Sequence, residues 1–202
     1  MKSTFLQRHP FIKDAINISA FILCVLIGTL FINTFIFRSF SVVGPSMEST
    51  LYTGDRLIVN RLVVTLSQLK DGKYTPERGQ IIVFKNPKYT TGNGDEYIVK
   101  RVIAFAGERV VVTDGHYLVY NGENPNGFNP DDKNNGEPGS PTSGSADVVV
   151  PSGELFVSGD HRQGSYSYDS RNGLSGLGTI PLYDVVGPVG IRIFPFDKIR
   201  TF

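Results

Sequence analysis

The chain has 202 residues, with 20 basic and 19 acidic side chains giving a formal net charge of +1. That balance supplies no basic face for a phosphate backbone, so nucleic-acid binding is not expected. A single cysteine, Cys24, excludes an internal disulfide and a thiolate-rich metal site. His9, His116 and His161 lack ligand spacing, so neither metal nor cofactor is expected.

From Ala15 to Phe37 (AINISAFILCVLIGTLFINTFIF) no residue is charged. As a helix this run is about 35 Å long, enough to cross a hydrocarbon core of ~30 Å. A buried core helix would carry a polar stripe. A cleavable leader would have a shorter apolar region followed by small residues, whereas bulky FINTFIF closes this one. Lys2, Arg8 and Lys13 precede the run and only Arg38 follows closely, which places the N-terminus in the cytoplasm. The expected organisation is a cytoplasmic tail (1–14), a transmembrane helix (15–37) and an extracytoplasmic β domain (38–202).

After Phe40 the period changes. DRLIVNRLVV, GQIIVFKN, EYIVKRVIAF, ERVVVTDGHYLVYNGE, ADVVVPSGELFVSGD and DVVGPVGIRIF are short runs rich in Val, Ile, Phe and Tyr, bounded by turn residues. Asp114-Gly115 between two such runs predicts a hairpin. The domain is therefore mainly β, of curled antiparallel sheets or a small barrel. LVVTL (Leu62–Leu66) reads as buried strand or as a patch resting on lipid. Residues 121–146, rich in Gly, Pro and Asn, read as an exposed, mobile loop. Within it DDKNNG resembles the start of a calcium loop, but Lys133 occupies a ligand position and Thr142 stands where the closing glutamate belongs.

One serine stands out by position. VVGPSMEST places Ser46 just beyond the apolar segment, in a triplet that is by itself an ordinary turn. A serine hydroxyl is a weak nucleophile and needs a base. His161 beside Asp160 is one option, and a neutral lysine is the other. Lysine titrates near about 10.4, so acting at neutral pH requires ~4 kcal/mol of preference for the uncharged form, which burial can supply. In EYIVKRVIA, period-two alternation puts Ile98, Lys100 and Val102 on one face and Val99, Arg101 and Ile103 on the other. Lys100 is thus a candidate desolvated amine, or else an edge-strand lysine that discourages aggregation.

The order of these pieces resembles the type I signal peptidases, membrane-tethered Ser/Lys proteases that remove signal peptides from exported proteins. GPSMEST is similar to the nucleophile box and TGDRLIVNR to the strand after it. RGQIIVFKNP, YIVKRVIAFAGERV and GDHRQGSYSYDSR are similar to the boxes that follow, in order, from the span to the C-terminus. The resemblance implies the fold of that family, Ser46 as nucleophile and Lys100 as general base. It implies that Ser167 orients the lysine, that Asp160 pairs with Arg101, and that Asp169 and Arg171 support the site. It also implies an oxyanion hole at the Ser46 N–H and Gly44, where some members carry a serine whose hydroxyl helps, so one donor is expected to be missing here. The implied partners are signal-peptide-bearing preproteins, membrane lipid and the export machinery, with no cofactor.

This chain departs from the pattern at Ser49, where proline is usual, at AFAGE after the lysine, and at His161, where asparagine is usual. Its last box is about two residues longer, so Ser165 competes with Ser167 as lysine partner. The expected function is signal peptide cleavage outside the cytoplasm. The alternative is a catalytically silent, membrane-anchored β module that binds exported chains.

Overall fold

The computed structural model describes residues 9–70, 72–92, 94–132, 138, 141–172 and 175–202. Helix α1, Pro10–Phe31, begins with proline at its first position and passes into a π-helical segment, Ile32–Ile36. Phe11–Ile36, 26 residues, is long and apolar enough to cross a membrane. The helix starts earlier than the apolar run suggested. Phe37, read as its last residue, already lies in strand β1, Phe37–Ser41.

The β domain has one large curled sheet and one small one. The large sheet adds β2 (Arg56–Asn60), β3 (Ile81–Lys85), β4 (Tyr97–Phe105), β8 (Glu154–Ser158), β9 (Ile180–Pro181), β10 (Val185–Phe194) and β11 (Arg200–Thr201). Its order is β1-β2-β10-β3-β4-β8-β9, with β11 beside β10, and the pairs are antiparallel. Strand β10 joins its halves, pairing β3 through Val185–Pro188 and β2 through Val189–Phe194, with register shifts that bend it. The small sheet is β6-β5-β7, from β5 (Arg109–Thr113), β6 (His116–Tyr120) and β7 (Asp147–Val149). Asp114 and Gly115, with φ of 50° and 76°, make the β5–β6 turn that their sequence predicted.

Two expectations are corrected. Leu62–Leu69 is not strand but an eight-residue helix, α2. Its β-branched valines favour a strand by propensity, but Val64 packs inward, the Leu62 N–H donates to Asn60 Oδ1 and the Thr65 hydroxyl donates to the Phe35 carbonyl. The described parts of 121–146 do not stand free. Phe128 bridges Val119, Thr142 is buried, and Asp131 forms an ion pair with Arg162, itself 2% exposed. Arg162, buried behind the site, needs a carboxylate, and this segment brings one. Lys133 of the calcium-like stretch lies outside the described residues.

Candidate active site

The chain leaves β1 and turns at Gly44, whose φ of +90° suits a residue without Cβ. Thr53 Oγ1 accepts from the Gly44 N–H, and Val42 exchanges backbone hydrogen bonds with Gly54 and Asp55, closing the loop 42–55 on itself. Met47 and Leu51, both fully buried, pin the following turn into the core. Each such side chain stabilises that anchorage by roughly 1.5–3 kcal/mol. Ser46, just ahead of Met47, is left half-exposed on the wall of a cleft.

Strand β4 supplies the opposite wall. Lys100 sits opposite Ile82, on the face whose cluster includes Ile98, Val102 and Val157, and is 3% exposed. Its Nζ lies 2.7 Å from Ser46 Oγ and 2.9 Å from the Val99 carbonyl. Burial pulls the amine down from 10.5 to about 8, with Asp169 and Asp160 opposing the fall. An amine so destabilised in its charged form, held against a hydroxyl, is equipped to take that hydroxyl's proton.

Behind this pair stand the residues of the last box. Arg101 donates through Nε and Nη2 to Asp160 at 2.8 and 2.6 Å, and through Nη1 to the Gly79 carbonyl. Asp169 accepts from the Gly159 N–H, the Ser158 and Ser167 hydroxyls and the Arg171 guanidinium. Burial pushes its carboxyl up, but Arg171 and these donors hold it below the usual range.

The placement of the two serines differs from expectation. The Ser167 hydroxyl donates to Asp169 at 2.6 Å, and the second partner of Lys100 is the Val99 carbonyl. Ser167 is buried across Gly159 from the Ser46 carbonyl, whereas Ser165 is exposed. Gly44 has no hydroxyl to offer at its position. Its one donor is engaged by Thr53, so it offers none to an oxyanion, whereas the Ser46 N–H has no acceptor among the described residues. His161 is not in the Ser46 hydroxyl's reach as a base: its Nδ1 lies 3.2 Å from the Pro45 carbonyl and its ring stacks on Tyr166.

Two features are defined only by the folded chain. The Asp131–Arg162 pair joins residues far apart in the chain, and Arg162 also donates to the Gly159 carbonyl. The second is a free strand edge. Strand β8 pairs with β4 only from Arg101 onward, so Tyr97–Lys100 pair with β3 alone and turn their other edge to the cleft. The cleft, about 280 Å³, runs between this edge and Phe40–Ser46, with Tyr166 and Tyr168 at its rim.

A serine hydroxyl against a buried amine, beside a free backbone N–H and an open strand edge, is the equipment of a serine hydrolase acting on extended peptides. The family described as signal peptidase, peptidase S26, matches residues 14–194. Signal peptidase I P of Bacillus subtilis subsp. natto is 33% identical over 189 residues, covering 89% of each chain. Signal peptidase I T of Bacillus subtilis strain 168 is 33% identical over 186 residues, 90% of this chain and 86% of that one. A crystal structure of a signal peptidase I from Enterococcus faecalis shares 24% identity over 58% of this chain and 98% of its own, with a TM-score of 0.40. The chain belongs to the signal peptidase family and is a serine endopeptidase.

Proposed function

We propose that the protein is a signal peptidase I, held in the membrane by the uncharged stretch from Ala15 of its N-terminal helix, with residues 1–14 in the cytoplasm and the β domain, from about residue 38, outside it. It cleaves signal peptides from translocated preproteins at the outer membrane surface. The observation that carries this reading is the 2.7 Å contact between a buried lysine amine and the Ser46 hydroxyl.

The cleavage region of the preprotein adds as a strand to the open edge at Tyr97–Lys100. With Lys100 neutral, the Val99 carbonyl holds one amine hydrogen and the lone pair accepts the Ser46 proton. Oγ attacks the scissile carbonyl, and the Ser46 N–H donates to the oxygen that becomes negative. The tetrahedral intermediate collapses as Lys100 passes its proton to the leaving nitrogen. Water enters, gives a proton to Lys100 and attacks the acyl ester. The second collapse returns that proton to Ser46 Oγ and frees the signal peptide carboxylate. Ser167 acts through Asp169, and Asp160–Arg101 and Arg171 hold the walls in place. No step calls for a metal or cofactor.

The test is cleavage of a purified preprotein by the full chain in detergent. The wild type is expected to cut once, after a small residue, and folded Ser46→Ala and Lys100→Met variants to lose all detectable cleavage. A wild type that never cuts, or a Lys100→Met variant that still does, overturns the reading.

A further inference from the structure

Beyond the cleft, Arg38 and Arg61 form a cationic pair with no carboxylate partner among the described residues. In the β1–β2 ladder Phe37 stands opposite Asn60 and Arg38 opposite Val59, and the Arg61 N–H continues the ladder by donating to the Ile36 carbonyl. Period-two alternation therefore puts Arg38 and Arg61 on one face, at the end nearest the membrane helix. Arg38 lies over the rings of Phe40 and Tyr97, 5.1 and 4.6 Å from their centroids, and donates to the Tyr97 hydroxyl at 3.2 Å. Arg61 Nε is buried with no hydrogen-bond partner. No carboxylate pairs with either residue among the described residues, although the other arginines behind the active site are each matched by one. Burial, and next the like charge of Arg38, pull the Arg61 guanidinium below its ordinary value.

Two like charges on one face, neither paired with a carboxylate and one with an idle buried N–H, suit an anion. Their position names its source. Arg38 is two residues past the last residue of the apolar span. Arg61 opens helix α2, whose Leu62, Leu66 and Leu69 are 42, 47 and 76% exposed at spacings of four and three. That stripe faces outward beside the helix end, at the depth where acyl chains meet headgroups.

We propose that Arg38 and Arg61 form a phosphate-binding site for an anionic phospholipid headgroup, with the α2 leucines dipping among its acyl chains. Arginine suits it, because the planar fork donates two hydrogen bonds to one phosphate. Occupancy also bears on the cleft, since the Tyr97 ring that Arg38 stacks on is one of its walls. The proposal rests on the membrane reading of Phe11–Ile36 but not on the chemistry of Ser46.

The experiment places the full chain in nanodiscs of mixed phosphatidylglycerol and phosphatidylcholine and measures, by native mass spectrometry, the lipid retained on release. The wild type is expected to keep phosphatidylglycerol selectively, and Arg61→Gln and Arg38→Gln each to lower that selectivity about tenfold, with Arg61→Lys between. Arg56→Gln removes an exposed charge from β2 away from the pair and is expected to change nothing. Equal losses for Arg56→Gln and Arg61→Gln would reduce the effect to general charge attraction and overturn the site. Displacement of the retained lipid by millimolar inorganic phosphate would make it a free-phosphate site and overturn the lipid assignment. A chain that fails to enter the nanodisc overturns the membrane reading instead, which separates the two failures.

Discussion

Replacing Lys100 with methionine is expected to abolish cleavage and, at neutral pH, to make the protein more stable. The lysine is 3% exposed and burial lowers its pKa from 10.5 to about 8. Between those values the unfolded chain holds a proton that the folded chain has released, so stability rises with pH across that window. Below about 8 the folded protein carries a buried ammonium and its whole penalty, roughly 3 kcal/mol at 1.36 kcal/mol per pKa unit. Methionine has nearly the same length and no charge to bury. It forfeits the contacts to Ser46 and Val99, about 1 kcal/mol in all where water can replace them. The net expectation is about 2 kcal/mol of added stability at pH 7, equivalent to about 4–8 °C in Tm. The gap should close as pH rises from 8 to 10.5 and then reverse slightly. Urea unfolding of the full chain in detergent, followed by tyrosine near-UV circular dichroism at several pH values, measures this directly. A gap that does not vary with pH, or a variant less stable at pH 7, would refute the claim that the folded lysine is destabilised by its charge.

The same amine sets the pH dependence of catalysis. kcat/KM should rise with pH to a limb near 8 and stand about a hundredfold below its plateau at pH 6, whereas a histidine base would place the limb near about 6.5. At Gly159 a Cβ would overlap both the Ser167 hydroxyl and the Ser46 carbonyl, so Gly159→Ala should cost roughly 1–3 kcal/mol in urea unfolding and most of kcat in the cleavage assay. Asp131→Asn leaves the buried Arg162 without its carboxylate and should cost about 3 kcal/mol by the same unfolding measurement. Asp147→Asn, at the exposed Arg109 pair, should leave stability nearly unchanged.

What the sequence revealed follows from the range of the forces involved. The apolar span, the Asp114-Gly115 turn and the alternation around Lys100 are local signals, legible within a few residues. Helix α2 was not, because Val63 and Val64 favour a strand locally and the packing of Val64 and the Thr65–Phe35 contact decide otherwise. The segment 121–146 looked incapable of order because its apolar content is low. What docks its described parts is largely polar: Asp131 on Arg162 and the Ser143 carbonyl on Arg171, at sequence separations of 31 and 28. His161 beside Asp160 suggested a triad, yet Asp160 is committed to Arg101 and the imidazole to the Pro45 carbonyl. The free edge of β4 depends on where β8 begins to pair, which only the folded sheet defines.

Asp169 draws the segment from Gly159 to Arg171 together from both ends. Ser158, Gly159, Ser167 and Arg171 all bond to it, while Gln163 to Tyr166 between them are exposed. The stretch stands outward from that fixed seam like a hem and ends with an aromatic ring at the entrance to the cleft. Changes of length in such a stretch would reshape the opening while the reacting atoms keep their separations.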